Sequence, residues 1–131
     1  MRDVIAGGSF ARQSNKRSVG GFYGGSNFWR LTYLGELDII DDRQVATQGM
    51  RDKYAAYSEV DLLLFDWLNL RGTFEFLKVS QDQDQTRWGI GAEPFINRVI
   101  QPRILYQINN GPSSQPLENQ PELWVELHLF L

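Results

Sequence analysis

The 131-residue sequence contains no cysteine. That excludes a disulfide framework, a thiolate metal site, an iron–sulfur cluster and a thioether haem attachment. Histidine is nearly absent too. His128 alone cannot supply an imidazole-rich metal centre, and no nucleophile set with a histidine base can be assembled around it with any specificity. Basic residues are outnumbered, 13 Lys and Arg against 16 Asp and Glu, so the chain offers no broad basic surface to nucleic acid. Long apolar runs are also missing: the longest, Leu62 to Phe65, is far short of the roughly 20 residues of a membrane-spanning helix. A transmembrane β-barrel escapes that last exclusion, because strands that alternate lipid-facing and interior residues average out as polar. The length predicts one domain over residues 1–131, large enough to bury about two-thirds of its unfolded surface.

What the chain does have is alternation. At the C-terminus Leu123, Val125, Leu127, Leu129 and Leu131 oppose Glu122, Trp124, Glu126, His128 and Phe130. Residues 29–40 set Leu31, Tyr33, Leu37 and Ile39 against Arg30, Thr32, Glu36 and Asp38. Residues 53–65 set Val60, Leu62 and Leu64 against Glu59 and Asp61, and residues 68–76 set Leu68, Leu70, Phe74 and Phe76 against Asn69, Arg71, Thr73 and Glu75. The same holds for Trp88, Ile90 and Ala92 against Arg87 and Glu93, and for Ile100, Ile104, Tyr106 and Ile108 against Gln101, Arg103, Gln107 and Asn109. With two Gly-rich strands at 3–12 and 18–27, flanking the polar turn Ser14-Asn15-Lys16-Arg17, the count is eight. Each is nearer the 9–11 residues of a tilted membrane strand than the five or six of an ordinary one.

The connections alternate as well. Those near residue 28, at 66–67 and at 96–98 are short; those at 13–17, 42–52, 80–85 and 110–121 are longer. Outer-membrane barrels pair short periplasmic turns with longer outer loops, which would put both termini on the periplasmic side. Phe28, Trp29, Phe65, Trp67, Phe95 and Phe130 fall beside the short turns or the C-terminus, where an interfacial aromatic girdle belongs. Tyr54, Trp88, Tyr106 and Trp124 are candidates for a second girdle. Pro94 and Pro102 flank the turn at 96–98, while Pro112, Pro116 and Pro121 fall in the long loop before the last strand. The expected fold is therefore all-β: an antiparallel up-and-down transmembrane β-barrel with about eight strands in this chain.

The run Tyr33-Leu-Gly-Glu-Leu-Asp38, the stretch Tyr57-Ser-Glu-Val-Asp61 leading to Leu70-Arg-Gly-Thr-Phe-Glu75, and the ending Glu122-Leu-Trp-Val-Glu-Leu-His-Leu-Phe-Leu131 resemble the C-terminal part of porin-like outer-membrane β-barrel proteins of Gram-negative bacteria. The resemblance spans nearly the whole chain and implies an outer-membrane location, lipid as surroundings and recognition of the last strand by the barrel-assembly machinery. Similar barrels include uncharacterised families, some of which accompany multihaem cytochromes. Such barrels usually end on an aromatic residue, whereas here Phe130 precedes a final Leu131. Met1-Arg-Asp-Val shows no secretion signal, so either a leader has been removed or the eight strands are the C-terminal piece of a larger barrel.

With the apolar rows facing lipid, the lipid-facing set is Leu31, Leu37, Ile39, Val60, Leu62, Leu64, Leu70, Phe74, Phe76, Ile104, Tyr106, Leu123, Val125, Leu127, Leu129 and Leu131. The interior then collects Glu36, Asp38, Glu59, Asp61, Glu75, Glu93, Glu122 and Glu126 with Arg30, Arg71, Arg87, Arg103 and His128. In a narrow barrel these charges pair as a packed polar core; in a wider one the carboxylate excess makes a cation-preferring lumen. Glu36/Asp38 and Glu59/Asp61 resemble catalytic carboxylate pairs only superficially, and Gln81-Asp-Gln-Asp-Gln85 lacks the glycine and terminal glutamate of a calcium loop. Gly20, Gly21, Gly24 and Gly25 fit no phosphate-binding spacing and are read as sites of bending and close packing.

The expected role is structural or passive porin-like transport, with no enzymatic activity, no cofactor and no metal. Two other readings stand beside it. A soluble lipocalin-like barrel would turn the apolar rows inward around a small apolar ligand. A sleeve around an electron-transfer cytochrome, or an oligomer, would supply the partner that a wide lumen needs.

Overall fold

Alternation at period two commits each segment to an extended backbone with one apolar and one polar side, and a sheet is the structure that uses both. The computed structural model describes residues 2–12, 17–42, 52–78, 84–96, 100–111 and 119–129. The tips of the longer connections, Gln81, Phe130 and Leu131 lie outside them. The strands are β1 (Arg2–Arg12), β2 (Arg17–Phe28), β3 (Leu31–Asp42), β4 (Asp52–Phe65), β5 (Leu68–Lys78), β6 (Asp84–Pro94), β7 (Ile100–Asn110) and β8 (Pro121–Leu129). They form one antiparallel up-and-down sheet in chain order, each strand bonded to the next.

Closure is where the structure departs from the expected barrel. Among the described residues β1 and β8 share no ladder and make no contact, so the sheet is open with two free edges. Strand pairing in a meander is dictated locally by each hairpin, whereas closure needs enough accumulated curl to bring the first strand to the last. No described hydrophobic residue is buried. The accessible surface is 9586 Å², where a globular chain of this mass would show about 7000 Å². The excess arises because no second layer covers either face.

The short turns have different chemistry. Trp29 and Arg30 form a two-residue turn in which Trp29 holds a φ of 58°, the positive first position that a hairpin matched to strand twist requires. Arg30 therefore belongs to the turn and not to the polar side of β3, as its parity had implied. At the next turn β4 carries a bulge between Leu63 and Phe65, which leaves Leu64 as the extra residue. At the third, the ladder between β6 and β7 stops at Ala92↔Ile104. Two residues further the same register sets Pro94 against Pro102, neither of which has an N–H to give.

Candidate functional site

The register sorts every described side chain onto one of two faces. Leu31, Leu37, Ile39, Val60, Leu62, Leu70, Phe74, Phe76, Ile104, Tyr106, Leu123, Val125, Leu127 and Leu129 share one face, cross-strand partner by cross-strand partner. Val125 is 69% exposed there. Phe74 and Trp88, opposite each other on β5 and β6, pack with centroids 4.3 Å apart on this face. Phe28, Trp29, Phe65, Trp67 and Phe95 stand exposed around the short turns, Phe65 stacked on Trp67 at 5.7 Å. Trp124 does not join Tyr54, Trp88 and Tyr106 in a second belt. It lies on the opposite face, where its indole N–H donates to Glu122 at 3.1 Å.

That opposite face is polar and concave. Glu36 and Asp38 on β3, Tyr57 on β4, Glu75 on β5, Arg87 on β6, Asn109 on β7 and Glu122 on β8 line a single cavity of about 450 Å³ near the long-loop end. In a flat sheet β3 and β8 would lie about 24 Å apart, so a shared cavity requires strong curl toward this face. Among the described residues Arg87 is the one arginine in its lining, bonded to Asn109 at 2.7 Å and 3.4 Å from Glu75. A smaller hollow of about 230 Å³ follows along β1 to β4, lined by Ile5, Tyr23 and Leu34 with Glu36 and Tyr57.

Toward the short turns, a chain of ion pairs crosses five strands. Arg71 on β5 reaches Asp61 at 2.9 Å and Glu59 at 3.6 Å on β4, and Glu93 at 3.2 Å on β6. Arg103 on β7 donates to the same Glu93 and lies 3.3 Å from Glu126 on β8, which His128 contacts at 3.2 Å. Neutral donors fill in: Asn69 to Asp61 at 3.1 Å, Gln101 to Glu93 at 3.4 Å, and the Tyr57 hydroxyl to Glu59. Alternation in the sequence already puts Asn69 and Gln101 on this side, and Tyr57 shares the parity of Glu59 and Asp61, which it joins here. Between ladder and cavity lies the row Glu59, Thr73, Gly89 and Gln107. Glu59, Thr73, Gln107 and, in the ladder, Glu93 are the only buried polar residues described, Glu93 at 4% exposure. Thr73 Oγ1 has no hydrogen-bond partner.

Several glycines on this face make room for a neighbour. The position a Cβ would take at Gly89 is filled by Thr73 Oγ1, and the one at Gly21 by Asp38. Gly20 and Gly24 point to the apolar side.

Arg30 sits apart from this network at the first short turn, bonded to Asp66 at 2.8 Å and the Leu64 carbonyl at 3.1 Å. Among the described residues the concave face thus carries Asp3, Glu36, Asp38, Glu59, Asp61, Glu75, Glu93, Glu122 and Glu126 against Lys53, Arg71, Arg87 and Arg103. Among the described residues no group of three or more acidic or histidine side chains is arranged to hold a metal ion, and Asp84 and Gln85 of the 81–85 run open β6 opposite Lys78 and Leu77. Such a surface attracts cations, and its ladder ties β4 to β8 in register. Comparison of the chain with known protein families, curated proteins and solved structures finds no match.

Proposed function

We propose that this chain is a porin-like outer-membrane β-barrel protein of a Gram-negative bacterium, with a structural or passive transport role. The observation that carries the reading is inverted polarity: Glu59, Thr73, Glu93 and Gln107 are buried and no described hydrophobic residue is, while most of the large apolar side chains stand exposed on the convex face. In water that arrangement leaves an apolar surface unpaired on a scale few monomers tolerate. In a bilayer it is the stable one. Strand length agrees, since eleven residues such as Leu68–Lys78 extend about 36 Å and, tilted near 40°, match a hydrocarbon layer of about 30 Å. A lipocalin-like carrier would need apolar rows on the concave side, and that side carries the carboxylates. The acidic excess gives any aqueous path a preference for cations.

The test is reconstitution. The chain is expected to need detergent, to give a β-type circular dichroism spectrum in micelles, and to conduct cations in preference to anions in planar bilayers. A monodisperse, detergent-free monomer would overturn the membrane reading. A folded, lipid-inserted chain that never conducts leaves the structural role alone.

A further inference from the structure

We infer that the free edges β1 and β8 pair with one another between two copies of the chain, closing sixteen strands around a two-fold axis. The inference rests on the membrane reading, because backbone N–H and C=O groups along an open edge have no partner in hydrocarbon. Both edges are long, eleven and nine residues. β1 is barely blunted, having no proline or lysine and charges only near its ends; on β8 the proline is the first residue, and Glu122, Glu126 and His128 all lie on the concave side, leaving the apolar side of that edge uncharged.

The occupant follows from direction, face and curl. Eight strictly alternating strands make β1 and β8 antiparallel. A two-fold parallel to the strands' common axis keeps that sense, so β8 of one copy meets β1 of the other in the antiparallel manner of every pair within the sheet. Matching the strand ends sets the apolar Ala6 opposite Leu127 and, on the polar face, Ser9 opposite Trp124. This repeats a pattern inside the sheet, where Gly7 faces Tyr23 and Gly25 faces Leu34, small against large. Closure of one chain on itself would give an eight-stranded barrel, whose interior is filled by its own side chains. Here a hollow of about 450 Å³ stays open between β3 and β8 instead of being filled, and among the described residues β1 makes no contact with β8, so the chain does not close on itself. Sixteen strands is a number that leaves an aqueous channel.

Since the chain has no cysteine of its own, single variants Ala6→Cys and Leu127→Cys can be refolded together in micelles and treated with a short bis-maleimide. A linked dimer is expected from the mixture and from neither variant alone. The unmodified chain should have twice its mass of 15.1 kDa. A double variant that links within one chain at monomer mass, links of 6 to 6 or 127 to 127, a folded unmodified monomer, or open-ended filaments would each overturn the inference. If the chain folds without detergent, the membrane reading fails, yet the same links in plain buffer still decide the edge pairing.

Discussion

Arg103 donates from Nε to Glu93 across the gap where β6 and β7 stop sharing backbone hydrogen bonds. The last backbone rung is Ala92↔Ile104, and the facing prolines Pro94 and Pro102 can add none beyond it. A side-chain pair therefore holds this end of the two strands together.

Arg103→Ala should consequently loosen the third short turn. A fully buried pair broken on one side costs about 3–5 kcal/mol; with the Arg103 side chain 28% exposed, about 2 kcal/mol is expected after screening. Urea unfolding in lipid vesicles measures it. Amide exchange should rise first in Phe95 and Ile96.

Arg71→Ala should cost more than Glu59→Gln. Arg71 alone neutralises Asp61 and Glu59 on β4 while also sharing Glu93, so its loss leaves three carboxylates with one arginine, at about 3 kcal/mol. Glu59→Gln keeps an acceptor for the Tyr57 hydroxyl and relieves repulsion from Asp61, and should stay within about 1 kcal/mol of the parent. A reversed order in the same unfolding experiment would mean that Glu59 is held as a specific ligand.

Two glycines separate the two faces. Gly89→Val drives a side chain into Thr73 and within 3.3 Å of Leu105 Cδ1, an overpacking expected to cost about 1–3 kcal/mol. A Cβ at Gly72 would meet nothing within 4 Å, so Gly72→Val on the apolar face should stabilise the sheet by about 0.5–1 kcal/mol. Midpoints of denaturant unfolding with unchanged slopes would establish both signs.

Thr73→Val tests the buried row directly. The hydroxyl there has no partner, so replacing it with a methyl group should gain about 1 kcal/mol, where the same change at a bonded threonine loses stability. A loss of stability would mean that this hydroxyl is bonded in solution.

Leu70→Arg places a charge on the apolar face of a central strand. In lipid it should cost about 2–4 kcal/mol if that position lies near the bilayer midplane. Equal stability of mutant and parent in vesicles would remove lipid from this face.

The sequence alone determined the eight strands nearly to their ends, because alternation is a local property and each hairpin pairs neighbours in the chain. It also determined which residues share a face, from Leu31 to Leu129, since parity survives any register that the short turns allow. Tertiary structure decided what depends on residues far apart. Arg30 reaches Asp66 and the Leu64 carbonyl at the next turn, a contact between residues more than thirty apart that parity does not record. Which carboxylate Arg71 holds is set by register between strands, and so is the facing of Pro94 and Pro102 that ends a ladder. The open edges are the furthest from sequence of all: closure depends on curl summed over the whole sheet, and alternation along one strand carries no record of that sum.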